Sequence, residues 1–127
     1  MATLREATAR LQARGHEVLT AHLLRDDVES AESALSERAV YERDIAWLDS
    51  CDALIADASG SSFCVGFEVG YLLARAPHTG QRVYLLYHAD RRDQISRLIS
   101  GNSDPHCAKY AYKTADDLLS FIDAHFD

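Results

Sequence analysis

The chain has 127 residues, 47% of them apolar and 26% charged, and a formal net charge of −7. This length and composition predict one globular domain over residues 1–127 and exclude an intrinsically disordered chain. No stretch approaches the ~20 apolar residues that span a bilayer, the N-terminus has no signal-peptide pattern, and the negative charge disfavours a nucleic-acid polymer as partner. We therefore expect a cytoplasmic protein that binds neither a membrane nor a nucleic-acid polymer.

The three cysteines are widely spaced and form no C-x-x-C pair. Cys51, Cys64 and Cys107 are therefore predicted to be reduced thiols that serve as small apolar residues. The sequence contains no pairing of Cys with His that would indicate a zinc site. Without a metal to activate water, any hydrolysis would have to use side chains. No metal and no cofactor are expected.

The first half of the chain predicts a helix, a strand and a second helix. Apolar residues at helical spacing indicate a helix over residues 3–14, ended by Gly15, which readily adopts the left-handed conformation after a last turn. Residues 16–22 predict a short strand, followed by a polar, acidic loop to about residue 32. The second helix is expected from Ser33 or Ser36 to Ser50, with Asp44 inside its apolar stripe.

The second half alternates strands and helices. Compact apolar runs predict buried parallel strands at residues 53–57 and 83–87, and a last short strand is expected at 109–113. Between them we expect a helix from about Val65 to Ala76, ended by residues 77–80, and a short helix within 90–100. Thr114 is suited to cap a terminal helix whose apolar residues face inward.

This alternation predicts an α/β fold, in which a parallel sheet lies between helices and the connections are right-handed. Ligands of such folds bind beyond the carboxyl ends of the strands. The loops that follow His22, Asp57, His88 and Lys113 are thus expected around one crevice.

Glu68 follows a Gly/Ser-rich stretch and is expected in the first turn of the next helix. Exposed backbone N–H groups and the helix dipole favour an anion there, which makes Glu68 a candidate nucleophile. Gly66 and Gly70 flank it at a spacing that lets a backbone or a ligand approach closely, so Gly66 is a candidate substrate contact. The alternative is a glutamate that only complements the helix dipole.

Asp44 is a carboxylate on the apolar face of an amphipathic helix, where an unpaired charge is costly. It should therefore be paired or border a cavity, and a partly buried carboxyl group suits a general acid. An aspartate that caps a neighbouring loop is the alternative. Together Asp44 and Glu68 supply the two carboxylates that cleavage of a glycosidic bond requires.

Further candidates line the expected crevice. The stretch Ser59-Gly60-Ser61-Ser62 offers hydroxyl and backbone donors for an anion or a sugar hydroxyl, or forms a plain turn. Asp57 could position a ligand hydroxyl or cap its loop, and His22 and His88 could bind a ligand or be surface histidines. Ser96 and Ser100 lie on the short helix expected within residues 90–100, where serines more often face solvent than bind a ligand.

Three segments carry a resemblance to a known family: Tyr41-Glu42-Arg43-Asp44-Ile45-Ala46-Trp47-Leu48, Asp52-Ala53-Leu54-Ile55-Ala56-Asp57 and Ser62-Phe63-Cys64-Val65-Gly66-Phe67-Glu68-Val69-Gly70. In them the chain resembles the 2′-deoxynucleoside 5′-phosphate N-hydrolases (the Rcl proteins), relatives of the nucleoside 2-deoxyribosyltransferases. The resemblance runs from about Thr3 to the C-terminus.

The resemblance implies a flavodoxin-like or Rossmann-like three-layer sandwich and a nucleotide N-glycosidase, which splits a (deoxy)nucleoside 5′-monophosphate into free base and sugar 5-phosphate. By this resemblance, Glu68 attacks C1′ to form a covalent glycosyl enzyme that water hydrolyses, and Asp44 assists departure or protonation of the base. Ser62 would bind the 5′-phosphate. Ser96 would reach the phosphate in the neighbouring site of a homodimer.

The resemblance has one exception, at the N-terminus. Family members begin with a central apolar strand and a Gly-Ser loop that supplies a tyrosine near the nucleophile, whereas this sequence opens on a helix. Either the true start lies upstream, or another chain supplies the strand, or part of the active site is lost. Base exchange between deoxynucleosides, and a catalytically inactive nucleotide-binding module, therefore stay open as alternatives to hydrolysis.

Overall fold

A computed structural model of the chain describes residues 2–19, 32–60 and 63–126. These residues form, in chain order, α1 (Ala2–Ala13), α2 (Glu37–Ser50), β1 (Ala53–Asp57), α3 (Phe63–Thr79), β2 (Arg82–His88), a 3₁₀ helix (Ala89–Gln94), α4 (Arg97–Ser100), β3 (Cys107–Tyr112) and α5 (Ala115–His125). They belong to two compact units, the first Met1–Trp47 with Thr114–Asp127 and the second Leu48–Lys113. The single domain over residues 1–127 stays a prediction.

The second unit is built on a parallel sheet with the strand order β1-β2-β3. Asp57 pairs with Leu86, and His88 pairs with Tyr112, so the register brings the carboxyl ends of all three strands to one edge. The prediction of an α/β fold with a parallel sheet is thus confirmed. In sheets of this kind, the edge at the carboxyl ends is where ligands bind.

The middle strand forms the core of this unit. Val83 and Leu85 of β2 are fully buried, and Leu72 of α3 is buried with them. An apolar run that is covered on both faces is typical of a central parallel strand. Leu54 and Ile55 of β1 are only half-buried, because in the described part of the chain β1 pairs with β2 alone.

The helix that carries Glu68 differs from the prediction at both ends. It begins at Phe63, two residues before Val65, and it continues through Pro77 to Thr79. Proline lacks a backbone N–H, but so close to the end of a helix it removes only one hydrogen bond of the last turn. Gly80, with φ +74°, then ends the helix, and its N–H donates to the carbonyl of Ala76 at 2.8 Å.

Two further predictions need correction. The expected single helix within residues 90–100 is two short pieces, because Ile95 is extended and Ser96 is not helical. The expected strand over 16–22 is wrong over its described residues 16–19, which form coil and a turn. A strand exists only in a ladder with a partner strand, and residues 16–19 have none among the described residues.

The first unit contains α1 packed against α5. Asp123 of α5 binds Arg10 at 2.9 Å and Arg14 at 2.6 Å. Thr114 and Asp117 form the capping box that begins α5, which confirms the predicted cap. Gly15 has φ +88°, as its predicted role at the end of α1 requires.

Candidate active site

Ser59 lies at the centre of a hydrogen-bonded cluster at the carboxyl edge of the sheet. Its hydroxyl accepts the backbone N–H of His88 at 2.8 Å, and its own N–H donates to Asp57 Oδ1 at 3.0 Å. Its hydroxyl also lies 3.3 Å from the hydroxyl of Tyr112, which donates to Asp57 Oδ2 at 3.1 Å. Since the tyrosine proton goes to Asp57, the hydroxyl of Ser59 is the donor toward Tyr112.

Two of these residues also meet through their rings. The rings of His88 and Tyr112 pack edge to face with their centroids 5.4 Å apart. The Nδ1 atom of His88 accepts the backbone N–H of Asp90 at 3.2 Å, which makes His88 the cap of the 3₁₀ helix. The ends of all three strands are therefore tied together just before the loop that leads to α3.

The electrostatics of the cluster keep Tyr112 in its neutral form. Burial raises the pKa of Tyr112, and the nearby charge of Asp57 raises it further, while the hydrogen bond from Ser59 acts in the opposite direction. A neutral phenol can donate to a carboxylate at any pH near neutrality. Tyr112 is thus a permanent donor at this edge of the sheet.

Asp57 has both carboxylate oxygens engaged within the cluster. Its bond to the N–H of Ser59 is the local turn contact that an aspartate makes when it caps a loop. Each oxygen keeps a second lone pair that could accept a ligand hydroxyl. A substrate-binding role for Asp57 stays a prediction.

Glu68 lies on α3, on the helix that follows this cluster. It is half-buried, at the border between the buried stripe that contains Val69 and Leu72 and the exposed face that contains Gly66 and Phe67. Because α3 begins at Phe63, Glu68 stands in the second turn, and the first turn holds no acidic residue. The prediction that Glu68 occupies the first turn is therefore wrong, and the dipole acts on it only weakly.

The exposed face of α3 carries two glycines and two phenylalanines. A Cβ atom added at Gly66 or at Gly70 would meet no atom within 4 Å among the described residues. Phe63 is fully exposed and Phe67 is 53% exposed, and the ring of Phe67 stacks on Tyr71. As far as residues 2–19, 32–60 and 63–126 are concerned, the space above Gly66 is open, and its role as a substrate contact stays a prediction.

Asp44 is paired, as its position on α2 predicted. Its Oδ1 atom accepts Arg43 Nε at 3.0 Å and Nη2 at 2.9 Å, and the side chain is 42% exposed. Arg43 also binds both carboxylate oxygens of Glu32 at 2.8 Å and lies over the ring of Trp47. The bonds to Glu32, followed by those to Asp44, raise the pKa of Arg43, so this guanidinium is a fixed cation beside Asp44.

The other predicted site residues are placed as follows. Ser96 is exposed, and its hydroxyl accepts the N–H of Leu98 at 3.2 Å as the cap of α4. His22 and Ser62 lie outside the described residues. Within residues 2–19, 32–60 and 63–126, no three His, Cys, Asp or Glu side chains are placed to hold a metal ion.

Two residues of this region were not predicted from the sequence, namely Tyr112 and Arg91. Tyr112 ends β3, so the rule that ligands bind at the carboxyl ends of strands could have identified it. Arg91 lies in the 3₁₀ helix after β2, and its Nε donates to the carbonyl of Ser59 at 3.1 Å. No local pattern indicates that contact, because 32 positions separate the two residues.

Comparison with known proteins identifies the family to which this arrangement belongs. The family model described as nucleoside 2-deoxyribosyltransferase matches residues 1–110. The chain belongs to the nucleoside 2-deoxyribosyltransferase family. The parallel sheet with its helices agrees with the flavodoxin-like fold of this family.

Relatives within this family carry names of N-hydrolases. A protein of Thermofilum pendens named "Putative 2′-deoxynucleoside 5′-phosphate N-hydrolase 1" is 34% identical over 98% of this chain and 83% of its own length. One of the same name from Methanococcoides burtonii is 44% identical over 73% of this chain and 71% of its own length. The "5-hydroxymethyl-dUMP N-hydrolase" of Danio rerio is 26% identical over 93% of this chain and 80% of its own length.

These names confirm the predicted resemblance and, at the level of the family, the prediction of an enzyme. The family joins glycosyl-transferring enzymes and N-hydrolases that act on deoxynucleotides. In the described ranges, no helix of this deoxyribosyltransferase-family chain has both the length and the apolar character that crossing a membrane requires.

Proposed function

We propose that this protein is a 2′-deoxynucleoside 5′-phosphate N-hydrolase, which splits a deoxynucleoside 5′-monophosphate into free base and 2-deoxyribose 5-phosphate. The similarity to relatives with this printed name, over 98% of the chain in one case and 73% in another, carries the proposal. The Ser59 cluster supports it, because it lies at the carboxyl edge of the sheet and directly ahead of the helix that bears Glu68.

The reaction we propose proceeds in two steps with Glu68 as nucleophile. The Glu68 carboxylate attacks C1′, a carboxylate-to-C1′ ester bond forms, and the bond from C1′ to the base nitrogen breaks with its electron pair leaving on the base. Asp44 assists the protonation of the departing base. Water then attacks C1′, loses a proton, and releases the sugar phosphate and the free carboxylate.

Asp44 suits its part because its charge is balanced by Arg43 at 2.9 Å. Asp44 would orient the base or a water molecule and pass on a proton received from solvent. Half-burial of Glu68 on a long helix suits the nucleophile, because packing limits the positions that its carboxylate can take.

Release of free base from purified protein tests the proposal. Each common deoxynucleoside 5′-monophosphate is incubated with the protein, and base and 2-deoxyribose 5-phosphate are separated by chromatography. We expect both products in equal amounts, and we expect Glu68→Gln to abolish their release. Glu42→Gln is the matched control, since Glu42 is an exposed glutamate paired with Arg38 on α2, and it should retain full activity.

Two results would overturn parts of the proposal. Undiminished release of base by Glu68→Gln removes Glu68 as nucleophile. Binding of the monophosphates with no release of base by the unmodified protein removes hydrolysis altogether and favours a nucleotide-binding module.

Mass spectrometry of acid-quenched protein should find the added mass of a 2-deoxyribosyl 5-phosphate group on the peptide that contains Glu68.

Base exchange is a second candidate function, which the name of the matching family model favours. In that reaction a second base, rather than water, attacks C1′ of the glycosyl enzyme. Adding an isotopically labelled free base to the assay separates the two reactions. Capture of the label into a new nucleotide supports exchange, whereas accumulation of sugar phosphate at an unchanged rate supports hydrolysis.

The proposal includes a homodimer in which Ser96 contributes to the neighbouring site. Ser96 supports this by being exposed at the start of α4, where a second chain can reach it. We expect mixtures of Glu68→Gln and Ser96→Ala subunits to recover about a quarter of normal activity, because half of the random dimers then hold one intact site of two. No recovery on mixing would show that Ser96 does not act across a subunit boundary.

A further inference from the structure

Arg91 is an arginine fixed at the edge of the sheet where the Ser59 cluster lies. It belongs to the 3₁₀ helix Ala89–Gln94, which follows β2 directly. Its Nε atom donates to the carbonyl of Ser59 at 3.1 Å. Since Ser59 is itself held by the N–H of His88 and by Asp57, the arginine is anchored to a fixed point of the backbone rather than to a mobile side chain.

None of the described residues occupies the outer end of this guanidinium, so a ligand could bind there. Its Nε atom is bonded to Ser59, and no contact with the described residues engages its two terminal nitrogens. These two atoms form the planar fork that binds two oxygens of one phosphate or carboxylate. An arginine held through Nε has lost part of its rotamer freedom already, which lowers the entropic cost of binding an anion.

Three other cations of this unit have different partners. Arg75 binds Asp49, Lys109 donates to the carbonyl of Ser100, and Arg82 lies over the ring of Tyr84 at the amino end of β2. Arg92 is the neighbour of Arg91 and is exposed, but a 3₁₀ helix turns by about 120° per residue, so the two side chains leave in different directions. Within the described residues, Arg91 is the arginine that contacts the loop between β1 and α3.

We propose that Arg91 binds the 5′-phosphate of the substrate through its two terminal nitrogens and so selects nucleoside monophosphates over unphosphorylated nucleosides. This inference rests on the proposed function for the identity of the substrate. A phosphate monoester carries between one and two negative charges at neutral pH, because its second pKa is about 6. A forked pair with Arg91 matches both this charge and the geometry of the phosphate oxygens.

The decisive experiment compares Arg91→Ala with Arg92→Ala. Both variants remove one exposed arginine from the same 3₁₀ helix, so they change the net charge equally, but only Arg91 contacts the Ser59 loop. We expect Arg91→Ala to weaken the binding of 2-deoxyribose 5-phosphate and of inorganic phosphate by about 10- to 100-fold in calorimetry. Arg92→Ala should change either affinity by less than about threefold.

Arg91→Lys separates charge from geometry. Lysine keeps one positive charge but has neither the planar fork nor the Nε atom that is anchored to Ser59. Its affinity for phosphate should fall between those of the unmodified protein and Arg91→Ala. With a deoxynucleoside monophosphate as substrate, Arg91→Ala should raise KM by the same factor as it weakens phosphate binding, and KM for the unphosphorylated deoxynucleoside should not change.

The outcomes distinguish failure of this inference from failure of the proposed function. Equal phosphate affinities in Arg91→Ala and Arg92→Ala overturn the role of Arg91, whether or not the protein releases base. Absence of phosphate binding by the unmodified protein at millimolar concentration overturns it too. Phosphate binding that depends on Arg91, in a protein that releases no base, supports this inference and overturns hydrolysis alone.

Discussion

Replacing Tyr112 by phenylalanine tests how much the cluster at the carboxyl edge contributes to stability. The change removes the hydroxyl that donates to Asp57 at 3.1 Å and lies 3.3 Å from Ser59, and it leaves the ring that packs against His88. A hydrogen bond to a charged group contributes ~1.5–3 kcal/mol and one between neutral groups ~1 kcal/mol. Asp57 is exposed, so water replaces much of the first contribution. We expect the free energy of unfolding to fall by about 1–2 kcal/mol.

Denaturant unfolding of the unmodified protein and the variant measures this difference. In a thermal scan the same loss corresponds to a decrease in Tm of roughly 3–8 °C for a domain of this size. Tyr87→Phe is the matched control, because Tyr87 is a buried tyrosine of β2 whose hydroxyl has no described hydrogen bond. It should lose less than about 0.5 kcal/mol. Equal losses in the two variants, or none in Tyr112→Phe, would refute the argument that these hydroxyl contacts stabilise the edge.

The same variant has a pH signature. Burial, as the larger cause, and then the charge of Asp57 raise the pKa of Tyr112 in the folded protein. The folded state therefore holds the phenolic proton more tightly than the unfolded chain, so this contribution is complete below the unfolded value of about 10 and is lost as the pH rises through the folded value. The difference in unfolding free energy between the protein and Tyr112→Phe should thus shrink in alkali. A difference that grows above pH ~10 would contradict the assigned cause.

Two further predictions concern the amino end of the sheet. Gln81 is buried, and its Nε2 atom donates to the carbonyls of Leu48 and Cys51, each at 2.7 Å. Gln81→Ala should therefore lower the free energy of unfolding by about 2–3 kcal/mol in denaturant unfolding. The control Gln94→Ala should leave it almost unchanged, because Gln94 is exposed. The Tyr71 hydroxyl, followed by the guanidinium of Arg75, lowers the pKa of Asp49. These contacts stabilise the folded protein above the ordinary carboxyl pKa, and the stabilisation is lost as the pH falls through the pKa of Asp49 in the folded state. Tyr71→Phe should therefore raise the pKa that NMR titration finds for Asp49, and an unchanged value would refute this cause.

The sequence predicted those elements that local pattern alone determines. β2 was found because a short apolar run such as Val83–Tyr87, rich in aromatic and branched residues, is typical of a strand in the middle of a parallel sheet. Gly15 and Thr114 were found because the end and the start of a helix select for particular residues. The start of α3 was missed because Phe63 is fully exposed, and an apolar residue on the outside of a helix breaks the pattern on which the prediction depends.

Contacts between distant parts of the chain explain why the site was only partly predicted. The strand ends Asp57 and His88 were expected at one crevice, since parallel strands end at the same edge. The contact between Asp57 and Tyr112 spans 55 positions, and that between Ser59 and Arg91 spans 32. No periodicity in the sequence specifies which side chains meet across such separations, because that depends on the register of the strands.

The position of Glu68 changes what the helix is expected to contribute to catalysis. Stabilisation by the dipole is at most about 1 kcal/mol at an exposed helix start and falls off within the first turn, and Glu68 stands beyond that turn. Attack on C1′ demands instead a carboxylate held in a narrow range of positions, because misplacement by about 1 Å costs on the order of 100-fold in rate. Buried neighbours such as Val69 and Leu72 fix the helix on which Glu68 stands. Orientation of the carboxylate is therefore what α3 supplies to the proposed reaction.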